Sequence, residues 1–191
     1  MKPIAELENV DDIDVLFQER RDREKMIDEM VGTLYPGIVG DEIAEINKWI
    51  YELRKHEPKQ VIVMRKDLNM RKGKMIAQGA HASLGVILHM MEQEEHTRFD
   101  GVTPITRYTL NAEGYVRDWL KKKFTKIAVS VNSEQELLDI YEKAKHEGLP
   151  AVLITDSGLT EFGGVPTHTC MAVGPWRRDE IDAITGNLPL L

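Results

Sequence analysis

An α/β layered sheet is the fold class this 191-residue sequence predicts. From Gln60 onward, short apolar runs of strand character alternate with helix-patterned segments. Capping residues fall at the joints between them. The length suits one domain of ordinary size plus an appendage, with enough chain to bury a single core.

The appendage comes first. Residues 12–31 are dense in alternating charges, with Ile13, Leu16, Phe17, Met26, Ile27 and Met30 as the inward positions of a helix. Tyr35-Pro36-Gly37 breaks the pattern. A second helix follows in which Asp41 is the cap, Ile43, Ile46, Trp49, Ile50 and Leu53 share one face, and Pro58 is the stop. Pro58-Lys59 is therefore the expected boundary between an acidic helical extension, 1–58, and an α/β domain, 59–191.

In that domain the pattern predicts a strand at Gln60 to Met64, a helix from about Lys74 to Glu92, a strand at Lys126 to Val131 and a helix at Ser133 to His146. Strands at Ala151 to Thr155 and Thr169 to Val173 and a helix from about Arg178 to Thr185 complete it. Ser133 with Glu136 makes a capping box, Gly148 closes the helix it begins, and Gly186 closes the last. The helix from Lys74 has small residues (Ala77, Gly79, Ala80, Ala82, Ser83, Gly85) for close approach to a sheet, with Ile76, Leu84, Ile87, Leu88 and Met91 for packing. The stretch from Gln93 to Leu120 reads as a long connection carrying Phe99, Tyr108, Tyr115 and Trp119, which either stack on bases or anchor the segment to the core. Anchoring is the simpler role.

The charge is unevenly placed. Of 25 basic and 32 acidic residues, 1–58 hold 8 and 15, which leaves 17 of each for the rest. The net charge of -7 thus belongs to the extension. Within the neutral remainder, basic residues cluster at 65–74 and at 117–126 (Arg117, Lys121, Lys122, Lys123, Lys126), so a nucleic-acid partner stays allowed. The single Cys170 excludes an internal disulfide and fits a buried strand position in a reducing compartment. No run approaches the roughly 18 apolar residues that span a bilayer, and Met1 to Glu6 lacks a signal-peptide core, so no membrane partner and a cytoplasmic location are expected.

The chemistry concentrates in Val61 to His81, VIVMRKDLNMRKGKMIAQGAH. An apolar strand ends in a basic loop that opens into a helix, whose free N–H groups and partial positive charge favour an anion, with Arg65, Lys66, Arg71, Lys72 and Lys74 adding full charges. Lys74, Gln78 and His81 at i, i+4 and i+7 share one helix face. The strand Ala151 to Ile154 delivers Asp156 at its end, with Gly158 and Thr160 following. Loops after strands gather at the carboxyl edge of such a sheet, so Lys74 and Asp156 are expected to meet. Taken alone, Asp156-Ser157-Gly158 is equally an ordinary turn and His81 an ordinary surface or core histidine. Leu68 and Met75 stand where a P-loop needs glycine and serine or threonine, and no GxSxG or HExxH occurs. His89, Glu92 and His96 would share a helix face, but the histidine gap of seven is not a usual ligand spacing, so no metal is expected.

RKDLNMRKGKMIAQ, TDSGLT at 155–160, AVGP at 172–175 and ITGNL at 184–188 together resemble the type II peptidyl-tRNA hydrolases of archaea and eukaryotes, over about Lys59 to Leu191. The resemblance implies a three-layer α/β/α sandwich around a mixed four-stranded sheet, no cofactor, frequent homodimers, and cleavage of the ester between peptide and tRNA. It implies a catalytic set of Lys74, Gln78, Asp156 and Thr160, and it matches His81 and Thr169 to frequent motif positions. Arg65, Lys66, Arg71, Lys72, His81 and Thr169 are the candidate binders of the peptidyl-tRNA substrate. In the assigned roles Asp156 and Thr160 activate a water, Lys74 stabilises the oxyanion, and Gln78 holds the ester or ribose. Glu161 stands where glutamine is common and Ser157 where alanine is common, and the family has a shorter connection where this chain has 93–120. The alternative is a non-catalytic RNA-binding or regulatory module on the same fold. The extension adds a further one, a subunit contact or a cover over the basic groove.

Overall fold

Alternation along four strands sorts the apolar side chains of residues 58–191 onto the two faces of one sheet. The computed structural model describes residues 2–8, 10–29, 36–98 and 101–191. The chain divides into two compact units, Met1–Glu57 and Pro58–Leu191.

In the first unit, α1 (Ile4–Leu7), α2 (Ile13–Glu29) and α3 (Pro36–Lys55) enclose Leu7, Leu16, Ile46 and Ile50, with Phe17 and Trp49 packed beside them. Asp41 is not the cap of α3. That helix begins five residues earlier at Pro36, where the fixed φ and missing N–H of proline suit a first turn, so Asp41 lies exposed within it. Met30 and Tyr35 lie outside the described residues, as does Phe99.

The second unit runs β1 (Pro58–Arg65), α4 (Lys72–His89), β2 (Glu92–Thr97), β3 (Pro104–Thr109), α5 (Gly114–Lys121), β4 (Lys126–Val131), α6 (Glu134–His146), β5 (Ala151–Asp156), β6 (Thr167–Arg177) and α7 (Arg178–Thr185). Its sheet has the order β4-β1-β6-β5, with β4 parallel to β1 and β6 antiparallel to both β1 and β5. The sheet is mixed, and β1, β4 and β5 all end at the edge where β6 begins. Val61, Val63, Val129, Val131, Met171 and Val173 face Leu137 and Ala144 of α6 and Ile181 and Ile184 of α7. Met64, Cys170 and Ala172 face Ala82, Val86 and Ile87 of α4 and Trp119 of α5. This is a three-layer α/β/α sandwich.

Local chemistry explains the boundaries. The Glu136 N–H donates to Ser133 Oγ at 3.2 Å, and Glu136 Oε2 accepts from the Asn132 N–H at 2.8 Å, which starts α6. Strand β6 runs four residues past Val173 because Gly174, at φ +85°, tolerates a register shift in which a Cβ would lie 2.5 Å from the Lys59 carbonyl oxygen.

Three expectations change. Helix α4 ends at His89, and Glu92 and His96 lie in β2, so the supposed histidine–glutamate helix face does not exist. The connection 93–120 holds a hairpin, β2 with β3, and helix α5. Every residue of β2 and β3 is exposed, so no apolar alternation marked them. Its aromatics divide: Trp119 is 1% exposed and donates its indole N–H to the Thr125 carbonyl at 2.7 Å, Tyr115 meets Trp176 edge-on, and Tyr108 is exposed. Finally, Gln78, Ala82, Val86 and Ile87 form the buried face of α4, while Ile76, Leu84 and Leu88 are exposed. Of the small residues, Ala82, Ser83 and Gly85 seat the helix, while Ala77 and Ala80 are exposed. A Cβ at Gly85 would stand 3.4 Å from Val152, and Ser83 donates to Gln60 Oε1 at 2.6 Å.

Candidate active site

Lys74 sits in the first turn of α4, just past the end of β1, and Asp156 is the last residue of β5. Both strands run to the same sheet edge although β6 lies between them, so the two side chains converge. Lys74 Nζ lies 2.5 Å from Asp156 Oδ2 and 3.2 Å from Thr160 Oγ1. The side chains of the pair are 13% and 12% exposed.

One turn along α4, Gln78 donates its Nε2 to the same Oδ2 at 2.8 Å, and its Oε1 accepts from Thr169 Oγ1 at 2.5 Å. The Gly158 N–H donates to the other oxygen, Asp156 Oδ1, at 2.9 Å. The Lys74 hydrogen bond holds the carboxyl below its ordinary range, aided by the Gly158 N–H, the Lys74 charge and Gln78 against the opposing effect of burial. Asp156 is therefore ionised at neutral pH. The loop depends on Gly158 at φ +79°, where a Cβ would stand 2.2 Å from the Val165 carbonyl oxygen. The chain folds back there, with the N–H groups of Phe162 and Gly164 both donating to the Gly158 carbonyl.

Beside this cluster a cleft of about 560 Å³ is lined by Gln78, His81, Thr155, Asp156 and Ser157, with Leu153 and Ile154. A larger, apolar cavity of about 880 Å³ lies on the other face of α4, lined by Ile76, Ala80, Leu84 and Trp119 among others, away from Asp156.

The structure thus brings Lys74, Gln78, Asp156 and Thr160 together and leaves His81 exposed on the cleft wall. Lys66, Arg71 and Lys72 are exposed around the start of α4, although Lys72 lines the apolar cavity. Three expected substrate contacts do not fit. Arg65 is 8% exposed, and its guanidinium is engaged by both oxygens of Asp67, by Glu134 Oε2 and by the His168 carbonyl, so it ties β1 to β6 and α6 instead of facing a phosphate. Thr169 is fully buried beneath Gln78. Gln78 is 2% exposed with each end of its amide held inside the fold, a setting for positioning Asp156 and not for gripping an ester or ribose.

The Gly158 donor escaped the sequence reading, although an aspartate two residues before a glycine is the pattern of a side chain accepting from its own backbone. His168, 2.8 Å from Thr155 Oγ1 through Nδ1, carried no signal at all. Cys170 is buried in β6 and its thiol is pushed up to about 11 by burial, which keeps it protonated. Among the described residues, no group of three or more His, Cys, Asp and Glu is placed to hold a metal, and no helix is long and apolar enough to cross a membrane.

Fold and cluster define a three-layer α/β protein with a lysine–aspartate site at the carboxyl edge of its sheet. Residues 58–191 match the family model of peptidyl-tRNA hydrolase PTH2. The chain belongs to that family. Proteins named peptidyl-tRNA hydrolase from Methanopyrus kandleri and Methanocaldococcus jannaschii are each 41% identical to it over 133 residues, covering 70% of this chain and 97% and 99% of theirs. The one from Methanothermobacter thermautotrophicus is 38% identical over 133 residues, covering 70% of this chain and 99% of its own. Among solved structures, an Agrobacterium protein of unknown function superposes with a TM-score of 0.41 at 11% identity, covering 71% of this chain and 98% of that one, a likeness too distant to bear on function.

Proposed function

We propose that this protein hydrolyses the ester joining a peptide, or an N-blocked amino acid, to the terminal ribose of tRNA. The observation that carries the reading is the Lys74–Asp156–Thr160 cluster beside an open cleft, in a chain of this family.

The Lys74 ammonium has three N–H groups and, among the described residues, two acceptors. Its remaining N–H is available to a carbonyl oxygen without breaking an existing bond. As negative charge develops there, the ammonium stabilises it in a partly water-excluded setting. A water attacks the carbonyl carbon, and its proton passes to Asp156. The bond to the ribose oxygen then breaks, and that oxygen leaves with the proton. Asp156 is a weak base while Lys74 holds it. It strengthens as the ammonium shifts toward the oxyanion and the carboxylate loses its nearest counter-charge. Thr160 fixes the ammonium from the other side, and Gln78, locked by Thr169, positions Asp156.

The exposed cations Lys66, Arg71 and Lys72, with His81 on the cleft wall, bind the tRNA phosphates and terminal nucleotide, so affinity falls as salt is added. Residues 59–191 form the hydrolase domain, 93–120 an insertion in it, and 1–58 an acidic appendage. Exposed Ile76, Leu84 and Leu88 on α4 support self-association as a homodimer, and a substrate made during translation supports a cytoplasmic location.

The test is ester loss from an N-blocked aminoacyl-tRNA incubated with the wild type and with Asp156→Ala. Release by the wild type alone is expected. Binding of the tRNA with no release by the wild type would instead identify a non-catalytic RNA-binding module.

A further inference from the structure

At the start of α4, where an anion is favoured, Glu161 already supplies a carboxylate. Its Oε1 accepts from Arg71 Nε at 2.7 Å and its Oε2 from the Arg71 backbone N–H at 3.4 Å. The carboxylate side chain is 15% exposed and the arginine 79%, so the acid is seated in the loop and the cation leans over it from solvent. Glu161 directly follows Thr160, in the same loop as Asp156.

We propose that Glu161 sets substrate affinity: it pairs with Arg71 and competes with substrate phosphates for it. The inference rests on the tRNA-ester reading above and deepens it. Arg71 is the residue preceding α4, and its guanidinium and N–H are the kind of donors a phosphate uses. Both are directed at an internal carboxylate that Arg71 itself keeps ionised by holding it below its ordinary range. A phosphate that approaches this corner must displace an anion already in place, whereas one that approaches Lys66 or Lys72 meets no such competitor among the described residues. Glu161 thereby lowers affinity for any polyanion at the helix start and leaves discrimination to the other cations.

Binding of deacylated tRNA and steady-state hydrolysis of N-blocked aminoacyl-tRNA, each over a range of salt, test this for wild type, E161Q, R71A and R71A/E161Q. E161Q is expected to bind tRNA about two- to fivefold tighter at low salt, the scale of one exposed ion pair. Its KM falls by a similar factor while kcat moves less, and its salt slope steepens by about 0.7 to 0.9. In the R71A background the gain disappears. E161S, which also removes the charge, gives the same gain.

The proposal is overturned if E161Q and E161S bind no tighter, if the gain persists without Arg71, or if kcat falls with KM unmoved, which is the signature of a loop anchor. It is overturned too if no form of the protein binds tRNA. Tighter tRNA binding by E161Q in a protein that releases no peptide keeps this inference and removes the hydrolase reading.

Discussion

Arg23 in the extension and Lys74 in the α/β domain are both cations enclosed between acceptors, and they differ in whether open space lies beside them. Arg23 is 3% exposed, and its guanidinium donates to Glu42, Glu19 and the Lys2 carbonyl, each at 2.8 Å. With a longer bond to the Glu19 carbonyl, four of its five N–H groups are engaged, and in this buried setting they hold α2 against α3 and the N-terminal segment. Lys74 has, among the described residues, two acceptors for three N–H groups, and its partner Asp156 lines a cleft. A cation closed in between acceptors is scaffold. One with an N–H to spare beside open space can receive a substrate oxygen.

The most direct way to break this contrast is Lys74→Ala, which should lower kcat by about 10²- to 10³-fold, the scale of removing one donor from an oxyanion site. Single-turnover ester release would measure it, and a rate within twofold of wild type would mean that the spare N–H does nothing. At the other pole, Arg23→Ala should destabilise the extension by about 3–5 kcal/mol, because Glu19 is left buried without its partner. Urea unfolding followed through the half-buried Trp49 reads this directly, and a loss under about 1 kcal/mol would show the cluster is not structural.

Thr169→Val sharpens the comparison from inside the site. The substitution keeps the shape but strands Gln78 Oε1, which should cost about 1–3 kcal/mol by denaturant midpoint and lower kcat through the displaced Asp156. Unchanged stability would mean another donor replaces Thr169. The smallest effect is on pH. Since Asp156 titrates lower in the folded chain than when unfolded, the stability it contributes is fully present above about pH 4 and is lost as pH falls through the folded value. The stability difference between wild type and Asp156→Asn should therefore be flat from pH 8 to 5 and shrink only below about pH 4. A difference already shrinking between pH 7 and 5 would show that the carboxyl is not held down.

The sequence by itself determined the order of the four sheet strands and of α4, α6 and α7, the capped start of α6, and the placing of Lys74 and Gln78 one turn apart. These rest on periodicity and caps, which act over a few residues. It also brought Asp156 to a strand end facing the same edge. The tertiary structure alone decided the rest. Gln93 to Leu120 hid a hairpin because a fully exposed strand needs no apolar alternation. Ile76 and Leu84 turned outward because the small face of α4 could approach the sheet more closely. Arg65, Thr169 and Gln78 became internal supports because whether a donor is free depends on which distant acceptors the fold carries to it: Glu134 and the His168 carbonyl for the first, and each other, with Asp156, for the last two. Residue type sets what a side chain can bind, and only packing over long sequence separations sets what it has left to offer.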